Sequence, residues 1–296
     1  MILSKISSRQ NLFKNILDNS KQALQLGLWG ALGGAIGSIF GDILLSRNNE
    51  NNSFIAVVIS TSFWFAIIGM SIAFTLLLGY SWYLKKGFQW LESLKSAFLP
   101  GLLSGLIAGG IAQTIYTILG STEILRVICW GIAGGLLGLG LSFRIPNLNK
   151  IRGLGGGFLG GIIGGCLFIA FSLLAGEIIG RIFGLAAIGF FIGLMIILIE
   201  AAFREAWLIV HYSDNEQKTV TLGNQPVILG SSNKAHIYLP KSQGYTPITA
   251  KIYLENKQIF IKFDDEYGQK MKHLTQELNN GDKRKLGNIS IEIKTQ

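Results

Sequence analysis

The chain reads as an α-helical membrane bundle of about six glycine-rich spans followed by a C-terminal all-β sandwich. Three observations carry this reading. The first 203 residues contain six long apolar runs with almost no charge inside them. Glycines recur through those runs at four-residue spacing. Beyond residue 207 the hydrophobic period shortens to that of strands, and lysine and turn residues become common.

A spanning helix needs roughly 20 mostly apolar residues. Residues 24–45, 54–80, 97–118, 125–142, 154–175 and 180–202 meet that need and define a transmembrane domain over 24–203. The second run is long enough to tilt or to continue past the hydrocarbon, and the fourth is the shortest. A mean hydropathy of +0.44 with 15% charged residues excludes an ordinary soluble globule.

Residues 1–23 form an amphipathic N-terminal segment that does not read as a secretory signal, because no cleavage site follows a short apolar region. Ile6, Phe13, Ile16, Leu17 and Leu24 recur at helical spacing between Lys5, Arg9, Lys14 and Lys21. The pattern suits a helix lying on an anionic leaflet or, equally, a solvated tail.

Charge sets the expected orientation. With the N-terminus inside, the inner stretches carry eleven basic residues, among them Lys85, Lys86, Lys95, Arg144, Lys150, Arg152 and Arg204. The outer stretches carry only Arg47, Arg126 and Arg181, beside Glu50, Glu123 and Glu177. Basic residues collect beside spans on the cytoplasmic side, so both termini are expected in the cytoplasm. The net charge of +9 therefore serves topology and lipid headgroups of the bilayer. No basic–aromatic interleaving accompanies it, so no nucleic-acid partner is expected.

Glycine is placed for helix packing. Gly153, Gly157, Gly161 and Gly165 are four apart, and Gly156, Gly160 and Gly164 form a second stripe. The spacing recurs at Gly33, Gly37 and Gly41, at Gly101, Gly105 and Gly109, and at Gly176, Gly180 and Gly184. In lipid, small residues let backbones approach, and van der Waals contact supplies the attraction. Such stripes predict a tight bundle within one chain or a homo-oligomer between chains. The second span has few glycines and five large aromatics, Phe54, Phe63, Trp64, Phe65 and Phe74, which suits a lipid-facing helix.

Trp29-Gly30-Ala31-Leu32-Gly33-Gly34 is echoed by Trp130-Gly131-Ile132-Ala133-Gly134-Gly135. Three spans per half would make an inverted repeat of the kind transporters use; shared composition explains the echo as well. No ionisable residue sits mid-span, since Asp42, Glu177, Arg181 and Glu200 lie near the ends, and this counts against ion-coupled transport. Gly155, Gly157 and Gly160 match a dinucleotide fingerprint but lack the preceding strand it requires.

The tail, residues 207–296, offers short strand-like runs at 218–222, 227–229, 236–239, 249–254, 258–263 and 289–293. Turn residues such as Gly230, Gly244, Asn256 and Gly281 separate them. Alternation of Ile259, Ile261 and Phe263, and of Ile289, Ile291 and Ile293, gives those strands one buried face.

The order of motifs in this tail resembles the forkhead-associated (FHA) family. Val227-Ile228-Leu229-Gly230-Ser231-Ser232 matches its strand ending in glycine before the first binding loop. Ala235-His236-Ile237-Tyr238-Leu239 and Thr246-Pro247-Ile248-Thr249-Ala250-Lys251-Ile252 follow in order. Leu278-Asn279-Asn280-Gly281-Asp282, Leu286-Gly287 and Ile289-Ser290-Ile291 match its close. A glycine-rich bundle leading into Glu205-Ala206-Trp207-Leu208 also looks like bacterial membrane proteins that carry such a domain.

The resemblance implies an FHA-like sandwich, which in that family binds phosphothreonine peptides through its loops. This chain departs where that chemistry lies. Ser231 stands where the family has its phosphate-binding Arg, Thr246 where it has Ser, and Thr249 where it has a supporting His. No Asn-Gly occurs near Gly268 or His273. A hydroxyl cannot replace a bidentate, permanently charged guanidinium fork. Ser231, Ser232, Asn233, Lys234, Thr246 and Thr249 are the candidate partner-binding residues, with Lys234 a point charge on the same loop.

The expected role is therefore a membrane scaffold or signalling adaptor for a cytoplasmic protein or peptide, phosphorylated or not. The alternative is a transporter or pore with a regulatory tail. His211, His236 and His273 show no metal-ligand spacing. Cys129 and Cys166 lie inside spans as small apolar fillers, and no nucleophile–base pair or cofactor motif marks an enzyme.

Overall fold

The computed structural model describes residues 17, 19–45, 53–85, 90–120, 122–213, 216–223, 225–232, 235–269, 273–286 and 289–296. Most of the N-terminal segment, and the candidate residues Asn233 and Lys234, lie outside them. The described residues divide into two compact units. One comprises residues up to 80 and from 90 to 202; the other comprises 203–296 together with 81–85.

The first unit is built from six helices: α1 (Ser20–Leu44), α2 (Phe54–Tyr83), α3 (Trp90–Leu119), α4 (Glu123–Ser142), α5 (Lys150–Ala175) and α6 (Glu177–Phe203). All six are long and apolar enough to cross a membrane. All but α2 start earlier than the apolar runs alone indicate, because polar caps and interfacial turns extend them. The Thr122 hydroxyl accepts from Leu125 N and opens α4. Asn149 accepts from Ile151 N and Arg152 N and opens α5. Helix α3 begins at Trp90, seven residues ahead of its apolar run, and carries Pro100 internally. Gly176, at φ +81°, ends α5 and lets α6 begin at the next residue.

The two glycine stripes of α5 face different partners. A methyl at Gly153 or Gly157 would collide with the Gly138 or Gly134 carbonyl of α4, and one at Gly161 with the Trp130 carbonyl. The other stripe, Gly156, Gly160 and Gly164, lies against Ile196, Phe191 and Ile188 of α6. On α1, Gly30 meets Gly189 of α6 while Gly33 and Gly37 meet Ile72 and Ile68 of α2. Gly101, Gly105 and Gly109 of α3 also rest on α2. These stripes are thus occupied within the chain. The helix over Gly155, Gly157 and Gly160 is continuous, with no strand before it.

Helix α2 is not the lipid-facing helix that its aromatics suggest. Phe54 and Phe63 are exposed, but Trp64, Ile68, Ile72 and Leu76 are buried. The reason is steric: α1 and α3 present glycine grooves, and a groove without side chains is filled by bulk from the helix opposite.

The second unit contains two sheets. Strands β1 (Ala206–Ser213), β2 (Glu216–Leu222), β8 (Lys283–Leu286) and β9 (Ile289–Thr295) form a sheet of order β2-β1-β9-β8. Strands β3 (Val227–Gly230), β4 (Ile237–Tyr238), β5 (Ala250–Glu255), β6 (Gln258–Phe263) and β7 (Thr275–Leu278) form a second of order β4-β3-β5-β6-β7. All pairs are antiparallel except β3 with β4. Leu208, Val210, Ile291 and Ile293 from one sheet, and Leu229, Ile252 and Ile261 from the other, are almost fully buried. Each such side chain contributes roughly 1.5–3 kcal/mol relative to exposure.

An edge of the first sheet is covered by residues that follow the second span. The Thr219 N–H on edge strand β2 donates to the Tyr83 hydroxyl at 2.8 Å. Lys218 lies 4.6 Å over the Tyr83 ring, and Lys85 meets Glu216 at 2.6 Å. An edge N–H that would otherwise invite another strand is thereby taken. The ion pair itself is about two-fifths exposed, so it contributes little, of order 0–1 kcal/mol.

Candidate functional site

The last residue of β3 is Gly230, where a side chain would strike the Pro247 carbonyl. That close approach joins the loop after β3 to the loop before β5. Ser231 N donates to Thr246 O at 3.0 Å and Ser232 N to Pro247 O at 3.2 Å. The loops holding Ser231, Ser232, Thr246 and Thr249 therefore converge.

The hydroxyls of Ser231, Thr246 and Thr249 are committed inward. Ser231 Oγ donates to Tyr245 O at 3.1 Å, and Thr246 Oγ1 to Ile248 O at 2.7 Å. Thr249 Oγ1 donates to Thr246 O at 3.3 Å, and its backbone N–H to Leu229 O at 2.7 Å. Ser231, Ser232 and Thr246 are half-buried. Thr249 is wholly buried. It fixes the turn that presents Thr246 and offers a partner no surface, which corrects its place among the contact residues.

Two supporting features carry no signal in the sequence. Tyr267 stacks between Tyr245, at 6.0 Å, and Phe263, at 6.2 Å, beneath the second loop. Burial, with Tyr267 beside it, raises the Tyr245 hydroxyl above its ordinary pKa, so the phenol stays neutral. His236, ahead of β4, accepts Ile228 N–H on Nδ1 at 3.0 Å, while its own N–H donates to Ile228 O at 2.7 Å. This reciprocal pair pins the far end of the first loop to β3. An accepting Nδ1 places the ring proton on Nε2. Among the described residues no group of three His, Cys, Asp or Glu side chains could hold a metal ion.

No family model matches the chain, and neither does any curated protein. Among solved structures, one from a study described as "Structural and functional analysis of phosphothreonine-dependent FHA domain interactions" is similar over 30% of this chain and 97% of its own. The identity is 17% and the TM-score 0.26.

Proposed function

We propose that the chain holds an FHA-like β-sandwich at the cytoplasmic face of a membrane as a protein-interaction module, a scaffold or signalling adaptor that engages its partner without a phosphothreonine clamp. One observation carries this reading: the two loops converge, yet the hydroxyls of Ser231, Thr246 and Thr249 all donate to the chain's own carbonyls. A phosphate arriving there would meet neither a guanidinium nor a free hydroxyl from these three residues. Losing a buried charged partner of that kind typically costs roughly 2–5 kcal/mol, felt as faster dissociation. The half-buried faces of Ser231, Ser232 and Thr246 remain available for shape and backbone recognition.

Capture of cytoplasmic proteins by the full-length chain in nanodiscs tests it. Binding is expected to survive phosphatase treatment of the lysate and to fall with Ser232→Glu or Thr246→Lys. Loss after phosphatase would establish phosphothreonine reading instead, and indifference to both substitutions would move the site elsewhere. Against the alternative of a transporter or pore stands the small void between the helices. The void among Ile68, Ile72, Ile188 and Ile192 is about 20 Å³, room for about one water.

A further inference from the structure

The helical unit contains a cavity of about 350 Å³ at the end where α4 and α6 begin. It lies within the range of about 300–1,000 Å³ typical of sites that bury a small molecule. Its floor is aromatic. Phe65 and Trp130 stack at 4.9 Å, Phe168 lies 5.8 Å from Trp130, and Trp64 lies 6.5 Å from it. A separate apolar gap of about 20 Å³ lies among Phe65, Ile68, Trp130 and Ile192.

The polar wall carries two arginines. Arg126 and Arg181 both line the cavity, and among the described residues no carboxylate does. The acids that accompany them sit outside the lining. Glu123 pairs with Arg126 at 3.0 Å, and Asp42 with Arg181 at 3.3 Å. Both arginines are also oriented from the side. Arg126 Nη2 donates to the Tyr116 hydroxyl at 2.9 Å, and Asp42 is held by Trp64 Nε1 at 3.1 Å. The remaining polar wall is set by Thr61, which donates to Gln113 Oε1 at 3.1 Å. Two fixed guanidinium groups above stacked rings suit a planar anion, since Arg pairs with carboxylates through a fork and aromatic rings favour offset stacking.

We infer that this cavity is a binding site for a small planar organic anion, an aromatic carboxylate whose charge meets Arg126 and Arg181 and whose ring stacks on Phe65 and Trp130. An anionic lipid shares the charge but brings two acyl chains that the volume does not hold. This site is independent of the tail and of its proposed partner.

The test uses the full-length chain in nanodiscs of neutral lipid, titrated by calorimetry with 2-naphthoate and with its neutral counterpart, 2-naphthamide. Saturable binding of the carboxylate at least tenfold tighter than the amide is expected. Arg126→Gln and Arg181→Gln should each weaken the carboxylate tenfold or more and leave the amide unchanged. Gln113→Trp, which fills the cavity and keeps both arginines, should abolish binding of both, with unchanged helical circular dichroism and monodisperse elution reporting intact folding. Absence of saturable binding to the wild-type chain overturns the inference, and so does equal affinity for acid and amide. Native mass spectrometry distinguishes the other source. A co-purified anionic lipid that disappears in both arginine variants and blocks naphthoate would assign the cavity to lipid and overturn the soluble ligand.

Discussion

Gly155 and Gly156 are adjacent on α5 and separate packing from propensity. A methyl at Gly155 meets nothing within 4 Å. One at Gly156 would sit 2.8 Å from Ile196 Cα and 2.9 Å from Met195 O, both immovable backbone. Reaching the 3.4 Å of ordinary contact moves α5 and α6 apart by about 0.6 Å. Overpacking of this kind costs about 1–3 kcal/mol. Against it, alanine gains up to about 1 kcal/mol over glycine in a helix interior. Gly155→Ala is therefore expected to be neutral or stabilising by up to about 1 kcal/mol, and Gly156→Ala destabilising by up to about 2 kcal/mol. For a unit of this size each kcal/mol shifts melting by about 2–4 °C. Both variants gain the same propensity, so they should differ by the overpacking cost alone, roughly 2–12 °C. Monodispersity after heating, followed by size-exclusion chromatography in detergent, reads that difference. Coincident melting of the two would refute the idea that the α5 stripe is fixed by backbone contact with α6.

Glu292 gives a pH dependence with a definite sign. The hydrogen bond from Lys294, with Lys283 and His211 nearby, holds its carboxyl below the ordinary 4.5. Its charged form is favoured in the fold, so its contribution is complete above that ordinary value and disappears as pH falls through the lower folded value. Thermal melts of the tail followed by circular dichroism between pH 3.5 and 7 should show this acid-side loss, and Glu292→Gln should flatten it; an unchanged slope in that variant would contradict the assignment. His236→Leu should leave the Ile228 N–H without its acceptor, costing about 1–3 kcal/mol and speeding hydrogen exchange at Ile228. His236→Asn, which restores an acceptor oxygen, should recover most of that loss; equal behaviour of the two variants would show that the ring acts by bulk alone.

The bundle and the sandwich were legible because each is a periodic pattern against a uniform solvent. Spacing showed that Gly153 and Gly156 lie on different stripes, yet it could not say which helix each stripe meets. The same limit hid the role of α2: Trp64 and Ile72 look lipid-facing until the grooves of α1 and α3 are known. Strand β1 escaped because Trp207-Leu208-Ile209-Val210 is a continuous apolar run without the alternation that marks a half-buried strand. Strands β7 and β8 escaped because Thr275–Leu278 and Lys283–Leu286 carry one apolar residue each. At the candidate site, motif order brought Ser231 near Thr246. The direction of their hydroxyls, which decides what they can bind, depends on carbonyls of Tyr245 and Ile248 that no pattern marks.

The cavity follows from where glycine stops. Helix α3 has no glycine between Gly110 and Leu119, α4 has none before Gly131, and α5 has none between Gly165 and Ala175. Between these three helices the backbones at that end are spaced by side chains, while Gly41 of α1 and Gly184 of α6 close against Trp64 and Phe168. Trp130, Phe65 and Phe168 take the space. They do not fill it to the rim. What remains must be lined by polar groups that satisfy one another, because an unpaired donor in a low-dielectric site costs about 1–3 kcal/mol or more. The pairs Thr61 with Gln113, Trp64 with Asp42 and Arg126 with Tyr116 meet that demand, each joining two helices. The resulting pocket is preorganised, since its polar walls are held by bonds that exist before any ligand arrives. Binding then orders little, and the pairs that the arginines already make with Glu123 and Asp42 set how much a carboxylate gains.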